Sequence, residues 1–107
     1  NNRLINADYY NAMVNTSQNL NPAYGYLWWL NGKSNYMLPG SQIVFPGKIS
    51  SHAPTDMFAA LGKNGQYLCV VPSQNIVMVR LGENPDNALV PKQFLNDIWE
   101  RFKDVTP

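Results

Sequence analysis

Phe58-Ala59-Ala60-Leu61-Gly62-Lys63-Asn64-Gly65-Gln66-Tyr67-Leu68-Cys69-Val70-Val71-Pro72 sets two glycines around a polar pair and follows them with an unbroken apolar run. Glycine lets main chain approach another group closely or take positive φ without penalty, so the Gly62 to Gly65 turn can face backbone N–H groups outward. The apolar run from Gln66 to Val71 and a second from Ile76 to Leu81 flank Pro72-Ser73-Gln74-Asn75, a turn-forming cluster. This spacing predicts an antiparallel hairpin. Leu68 and Val70 fall on one face and Tyr67, Cys69 and Val71 on the other, which predicts strands covered on both sides, in a central sheet sandwiched by helices.

Downstream, Gly82 to Asn87 is a polar turn, and Pro91 suits the first turn of a closing helix. There Leu95, Ile98, Trp99 and Phe102 recur at i, i+3, i+4 and i+7, a stripe that packs on the sheet. Upstream, Asn6 is a candidate N-cap, Asp8 lies in the first turn, and Ile5 and Tyr10 are spaced as a hydrophobic staple. A short helix is expected to about Asn15, then a polar loop to Pro22. Tyr24, Tyr26, Trp28 and Leu30 alternate with Gly25, Leu27 and Trp29, which predicts a strand with both faces largely apolar. Asn31-Gly32 is a turn dipeptide, and a second short extended segment is expected between Tyr36 and Phe45, before Pro46-Gly47. The class is α+β, with antiparallel sheet strands and flanking helices.

The chain has 107 residues, 45% hydrophobic and 14% charged, with a net charge of +1. That is enough for one core and disfavours both disorder and a nucleic-acid footprint, since no basic run is interleaved with aromatics. Cys69 is the only cysteine and sits among apolar neighbours, so it reads as a small buried hydrophobe. No apolar run approaches the roughly eighteen residues of a membrane span, and no signal peptide is visible at the N-terminus. The chain begins at Asn1-Asn2 without a methionine and runs almost at once into helix-forming sequence. It reads as a piece of something longer.

The order of helix, Tyr24-Gly25-Tyr26-Leu27-Trp28-Trp29, variable loop, Gly-x-x-Gly-Gln turn, Val-Pro hairpin and terminal helix resembles the C-terminal part of the serine β-lactamase-like hydrolases. That superfamily holds class C β-lactamases, penicillin-binding D-alanyl-D-alanine peptidases, esterases and 6-aminohexanoate-dimer hydrolases. The resemblance spans roughly Leu4 to Phe102 and implies that residues 1–107 are the C-terminal segment of one β-lactamase/transpeptidase-like domain. It implies acyl transfer from an ester, amide or β-lactam to water without a metal or organic cofactor. The family also leads one to expect a bacterial protein in the periplasm or another extracytoplasmic place. The nucleophile of a Ser-x-x-Lys box would lie outside this chain: none of Ser17, Ser34, Ser41, Ser50, Ser51 and Ser73 has a lysine three residues on. The expected partner is therefore the N-terminal portion of the same protein, and the segment alone is expected to be inactive. Separated from it, the segment should expose an unpaired sheet edge and an apolar surface.

Aligned with the family's Lys-Thr-Gly box, Ala60-Leu61-Gly62 keeps the glycine and lacks the lysine and the hydroxyl, a departure that weighs against β-lactamase activity. The turn looks like that of the esterase and amide-hydrolase branches. On that resemblance Lys63 donates its backbone N–H to the oxyanion, beside Gly62, Asn64, Gly65 and Gln66 as substrate-binding positions. Asn64 and Gln66 could equally fix the turn, and the turn itself could be a tight connection into a core strand. Tyr9-Tyr10-Asn11 matches Tyr-x-Asn in letters, but its helical setting makes Tyr9 and Tyr10 packing residues. His52, the sole histidine, lies in a loop without a clear partner and is not the expected base. Neither Asp56 nor another residue completes a dyad or metal-ligand spacing with it. The rival function is a noncatalytic carbohydrate- or peptide-binding module with Tyr24, Tyr26, Trp28 and Trp29 as a stacking platform.

Overall fold

The computed structural model of the chain describes residues 3–102 and Asp104. Asn6 caps the first helix as expected: its side-chain oxygen accepts from the N–H of Asp8 at 2.8 Å and of Tyr9 at 3.3 Å. The helix, α1 (Ala7–Met13), stops two residues short of the expected Asn15. Tyr10 sets its ring edge-on to Phe58, with centroids 6.1 Å apart.

The aromatic segment does not form the long strand its alternation suggests. Only β1 (Trp29–Leu30) is extended, and Tyr24 bridges back to Trp29 across a tight turn. Two residues force the turn. A Cβ on Gly25 would lie 2.1 Å from the Met13 carbonyl oxygen, so α1 packs on bare backbone there, and Leu27 takes a left-handed φ of 64°. Tertiary contact with α1 has overridden the period-two pattern. After the expected Asn31-Gly32 turn, β2 (Asn35–Tyr36) and β3 (Phe45–Pro46) pair as a separate two-stranded ladder.

β4 (Phe58–Gly62), β5 (Gln66–Val71) and β6 (Ile76–Arg80) complete an antiparallel sheet in the order β1-β4-β5-β6. The predicted hairpin is present almost residue for residue, and Asn75 closes its turn in the left-handed region at φ 53°. Register places Ala59, Tyr67, Cys69, Val71 and Met78 on one face. There α2 (Lys92–Phe102) lays Leu95 and Trp99 into the core, with Phe94, Ile98 and Phe102 beside them. Truncating a wholly buried leucine such as Leu95 to alanine costs about 2–5 kcal/mol.

The opposite face corrects the expectation of a sheet covered on both sides. Phe58 is packed by Met13, Tyr10 and Trp28. Beyond it Leu68 and Val70 are only half-buried, and Val77 and Val79 are 64% and 60% exposed. At seven residues α1 spans about 10 Å, enough for one end of the sheet and not for the rest. The fold is thus a four-stranded antiparallel sheet with two helices, apolar on both faces and closed on one.

Candidate functional site

The Gly62 to Gly65 turn joins β4 to β5 as a short 3-10 turn over Lys63–Gly65. Gly62 is extended (φ −96°, ψ 165°), and a Cβ there would come within 3.2 Å of the Cβ and carbonyl oxygen of Gln66, its cross-strand partner. Asn64 and Gly65 both take positive φ, at 66° and 85°. An asparagine tolerates that region better than most residues, and glycine pays nothing there. Gly65 is also crowded: a Cβ would lie 2.7 Å from Arg80 Nη1 and 3.2 Å from atoms of Pro85 and Pro91.

Arg80 holds the turn. Its guanidinium donates to the carbonyl oxygens of Asn64 at 3.2 Å and Gly65 at 2.8 Å, and to that of Glu83 at 2.8 Å. The same group sits 5.0 Å from the centre of the Phe94 ring, so α2 helps orient it. The Gln66 carboxamide pairs both ways with Gly82, Nε2 donating to the carbonyl at 2.6 Å and Oε1 accepting from the N–H at 3.0 Å. Asn64 donates its N–H to Leu89 C=O at 3.3 Å. The Gln66 side chain thus ties the turn to the loop after β6. Gly82 was read only as the start of a polar turn and Arg80 went unread in the sequence; the one signal for it was a lone charge after the apolar residues Ile76-Val77-Met78-Val79.

β1 covers only Phe58 and Ala59 of β4, so among the described residues the outer edge from Ala60 to Gly62 has no neighbouring strand. A cleft of about 470 Å³ lies at this end of the sheet, lined by Ala60, Gly62, Gln66, Leu68 and Val79 across β4, β5 and β6 and by Tyr24, Leu27 and Trp29 from the β1 side. Lys63 and Asn64 are exposed beside it. Gly62, Lys63, Asn64, Gly65 and Gln66 are therefore one rigid corner, with Gly65 turned into the protein and Gly62 and Gln66 turned to the cleft.

The other candidates lie apart. His52 is exposed, 4.0 Å from a Glu100 carboxylate oxygen, and its N–H donates to Asn96 Oδ1 at 2.9 Å together with Ser50 Oγ at 2.9 Å. Asp56 accepts from the N–H and hydroxyl of Ser73, which fixes the hairpin turn. Tyr9 pairs its ring with Tyr26, 5.7 Å between centroids, on the surface. Cys69 is fully buried; burial pushes its thiol up to about 11, against the opposing effect of the Trp99 indole N–H. Tyr67 is pushed up to about 12, by burial first, with Arg80 opposing, and its hydroxyl donates to Pro91 C=O. Neither group is a nucleophile at neutral pH.

The aromatics of residues 24–29 do not share a plane. Trp29 stands at 68° to Tyr24 in the cluster of Ala23, Tyr36 and Ile49, whereas Trp28 stands at 90° to Phe58 in the cluster of Met13 and Leu30. A stacking platform needs coplanar or stepped faces open to solvent. Among the described residues no helix is long and apolar enough to cross a membrane. No protein-family model, curated protein or solved structure matches the chain.

Proposed function

We propose that this chain is the C-terminal portion of a serine hydrolase of the β-lactamase-like superfamily, acting by acyl-enzyme formation on an ester, amide or β-lactam. In this function β4 is the wall of the active site and Lys63 N–H is one donor of the oxyanion hole. The main support is a coincidence at one corner: a strand edge without a neighbouring strand among the described residues, a cleft beside it, and an exposed turn at Lys63 held by Arg80. Donors that are fixed before the reaction stabilise developing charge without reorganising, and removing one costs about 3–4 kcal/mol of transition-state stabilisation.

The chemistry follows from that placement. A serine hydroxyl from the preceding part of the protein loses its proton to a base there and attacks the carbonyl carbon. The oxygen gathers negative charge facing Lys63 N–H and the serine's own N–H. Collapse expels the alcohol or amine, and water then cleaves the acyl-serine bond. Backbone donation leaves the side chain at position 63 free to vary. The exposed Val77 and the outer edge of β6 give the preceding part of the protein a surface to close on.

A fluorophosphonate probe tests the proposal, because it labels an activated serine covalently. The longer protein carrying this segment is expected to be labelled and the 107-residue chain to remain unlabelled. Labelling of the chain by itself, or none of the longer protein, would overturn it.

A further inference from the structure

Resting on that hydrolase reading, we infer that the cleft beside β4 receives an uncharged aliphatic or aromatic acyl group. Neutral esters and amides are then the substrate class, and carboxylate-bearing substrates, β-lactams among them, are excluded. The cleft's size, about 470 Å³, suits a small-molecule group. None of its lining residues, among those described, is charged. Of its polar side chains, the Gln66 carboxamide is taken up in both directions by Gly82 and the Tyr67 hydroxyl by Pro91 C=O, which leaves the Tyr24 hydroxyl and the Trp29 indole N–H as neutral donors. The nearby cations do not serve it either. The Arg80 guanidinium is committed to three carbonyl oxygens, and the Lys63 side chain is not part of the lining. A carboxylate placed along this groove would lose water and gain no cationic partner, which disfavours it against an uncharged group.

The rim adds a second, independent sign. Leu27 is held at φ 64° and is 81% exposed, an apolar side chain in a conformation that favours glycine or asparagine. The turn enforces this geometry: Tyr26 N–H donates to Met13 C=O at 3.0 Å, Gly25 N–H to Trp28 C=O at 2.9 Å, and Leu27 N–H to Gly25 C=O at 3.1 Å. Strained residues that their surroundings over-determine cluster at ligand clamps. Leu27 and the 78% exposed Leu81 both line the cleft, together with Trp29 and Tyr24, which are set edge to face with centroids 4.8 Å apart. An acyl chain lying along this groove would cover apolar surface that nothing else in the described chain covers.

Two arms keep the cleft and the hydrolase reading separable. In the first, the 107-residue chain is titrated with methyl hexanoate and with the sodium salt of monomethyl adipate, whose charge lies at the far end of the acyl chain, following backbone and methyl NMR shifts. Saturable shifts at Tyr24, Leu27 and Trp29 are expected with the ester, and binding at least about tenfold weaker with the anion. Leu27→Asn should weaken ester binding at least about fivefold while the fold is kept, since asparagine accepts the left-handed φ; Leu81→Asn is the second rim variant. In the other arm, the longer protein is assayed with p-nitrophenyl hexanoate and with the mono-p-nitrophenyl ester of adipic acid. A preference of about a hundredfold in kcat/KM for the neutral ester is expected. Equal binding of ester and anion, absence of ester binding, or comparable turnover of the adipate ester or a penicillin would overturn the cleft assignment even if fluorophosphonate labels the serine. Ester binding without fluorophosphonate labelling would instead sustain the cleft and count against the hydrolase.

Discussion

Arg80→Met is the sharpest test of the idea that the Lys63 corner is held rigid from the far side of the sheet. Methionine keeps an unbranched apolar stem beside Phe94 and removes the three donated hydrogen bonds. The bond to Gly65 C=O is half-buried and charge-assisted, a class worth about 1.5–3 kcal/mol. The other two carbonyls are exposed and regain water, so together they add about 1 kcal/mol or less. The sum is about 2–4 kcal/mol. For a chain of this size a kcal/mol corresponds to roughly 4–5 °C, so thermal unfolding by circular dichroism should shift downward by about 8–20 °C. Local loosening should be read separately by hydrogen exchange. The Asn64 amide, bonded to Leu89 C=O across the same corner, should exchange at least about tenfold faster. A shift under about 2 °C with Asn64 exchange unchanged would refute the clamp, and with it the preorganised donor.

Gly65→Ala should lower the melting temperature far more than Gly47→Ala: both glycines have φ near 85°, but a Cβ at Gly65 strikes Arg80, Pro85 and Pro91, whereas at Gly47 it meets nothing within 4 Å. The Gly47 change should cost about 1–2 kcal/mol in urea unfolding, and equal losses would contradict the packing described. Asn31 is buried with Nδ2 facing the carbonyls of Ser50, Ala53 and Pro54 and Oδ1 accepting Ser50 N–H at 2.8 Å, so Asn31→Leu should cost about 2–4 kcal/mol by strandless loss of the 50–54 loop's partners. The urea midpoint checks it. Cys69 and Tyr67 both have their neutral forms favoured by the fold, with values raised from 9.0 to about 11 and from 10.0 to about 12. Their contribution is therefore intact below about pH 9 and is lost as pH rises through 9–12. Stability against urea should fall steeply across that window, and Cys69→Ala should remove the part between about 9 and 11.

The hairpin and the closing helix were legible because their signals are local. Pro72 to Asn75 is turn chemistry between two β-rich runs, and Leu95, Ile98, Trp99 and Phe102 recur with the period of a helix that can bury only one stripe. Asn6 was legible for the same reason, its side chain bonding two and three residues ahead. The corner at Gly62 to Gly65 was visible as a place where backbone could be presented, from the two glycines alone.

The sequence by itself determined where the chain turns and which elements alternate, since turn chemistry and periodicity act over a few residues. Only the tertiary structure decided that Tyr24 to Leu30 folds back on itself, because the constraint is α1 backbone packed against Gly25. It also decided that one sheet face stays open, because a seven-residue helix cannot span it, and that Arg80 and Gln66 are spent on the corner they border. Those outcomes depend on groups about twelve residues apart or more meeting in space, and no local pattern encodes such a meeting.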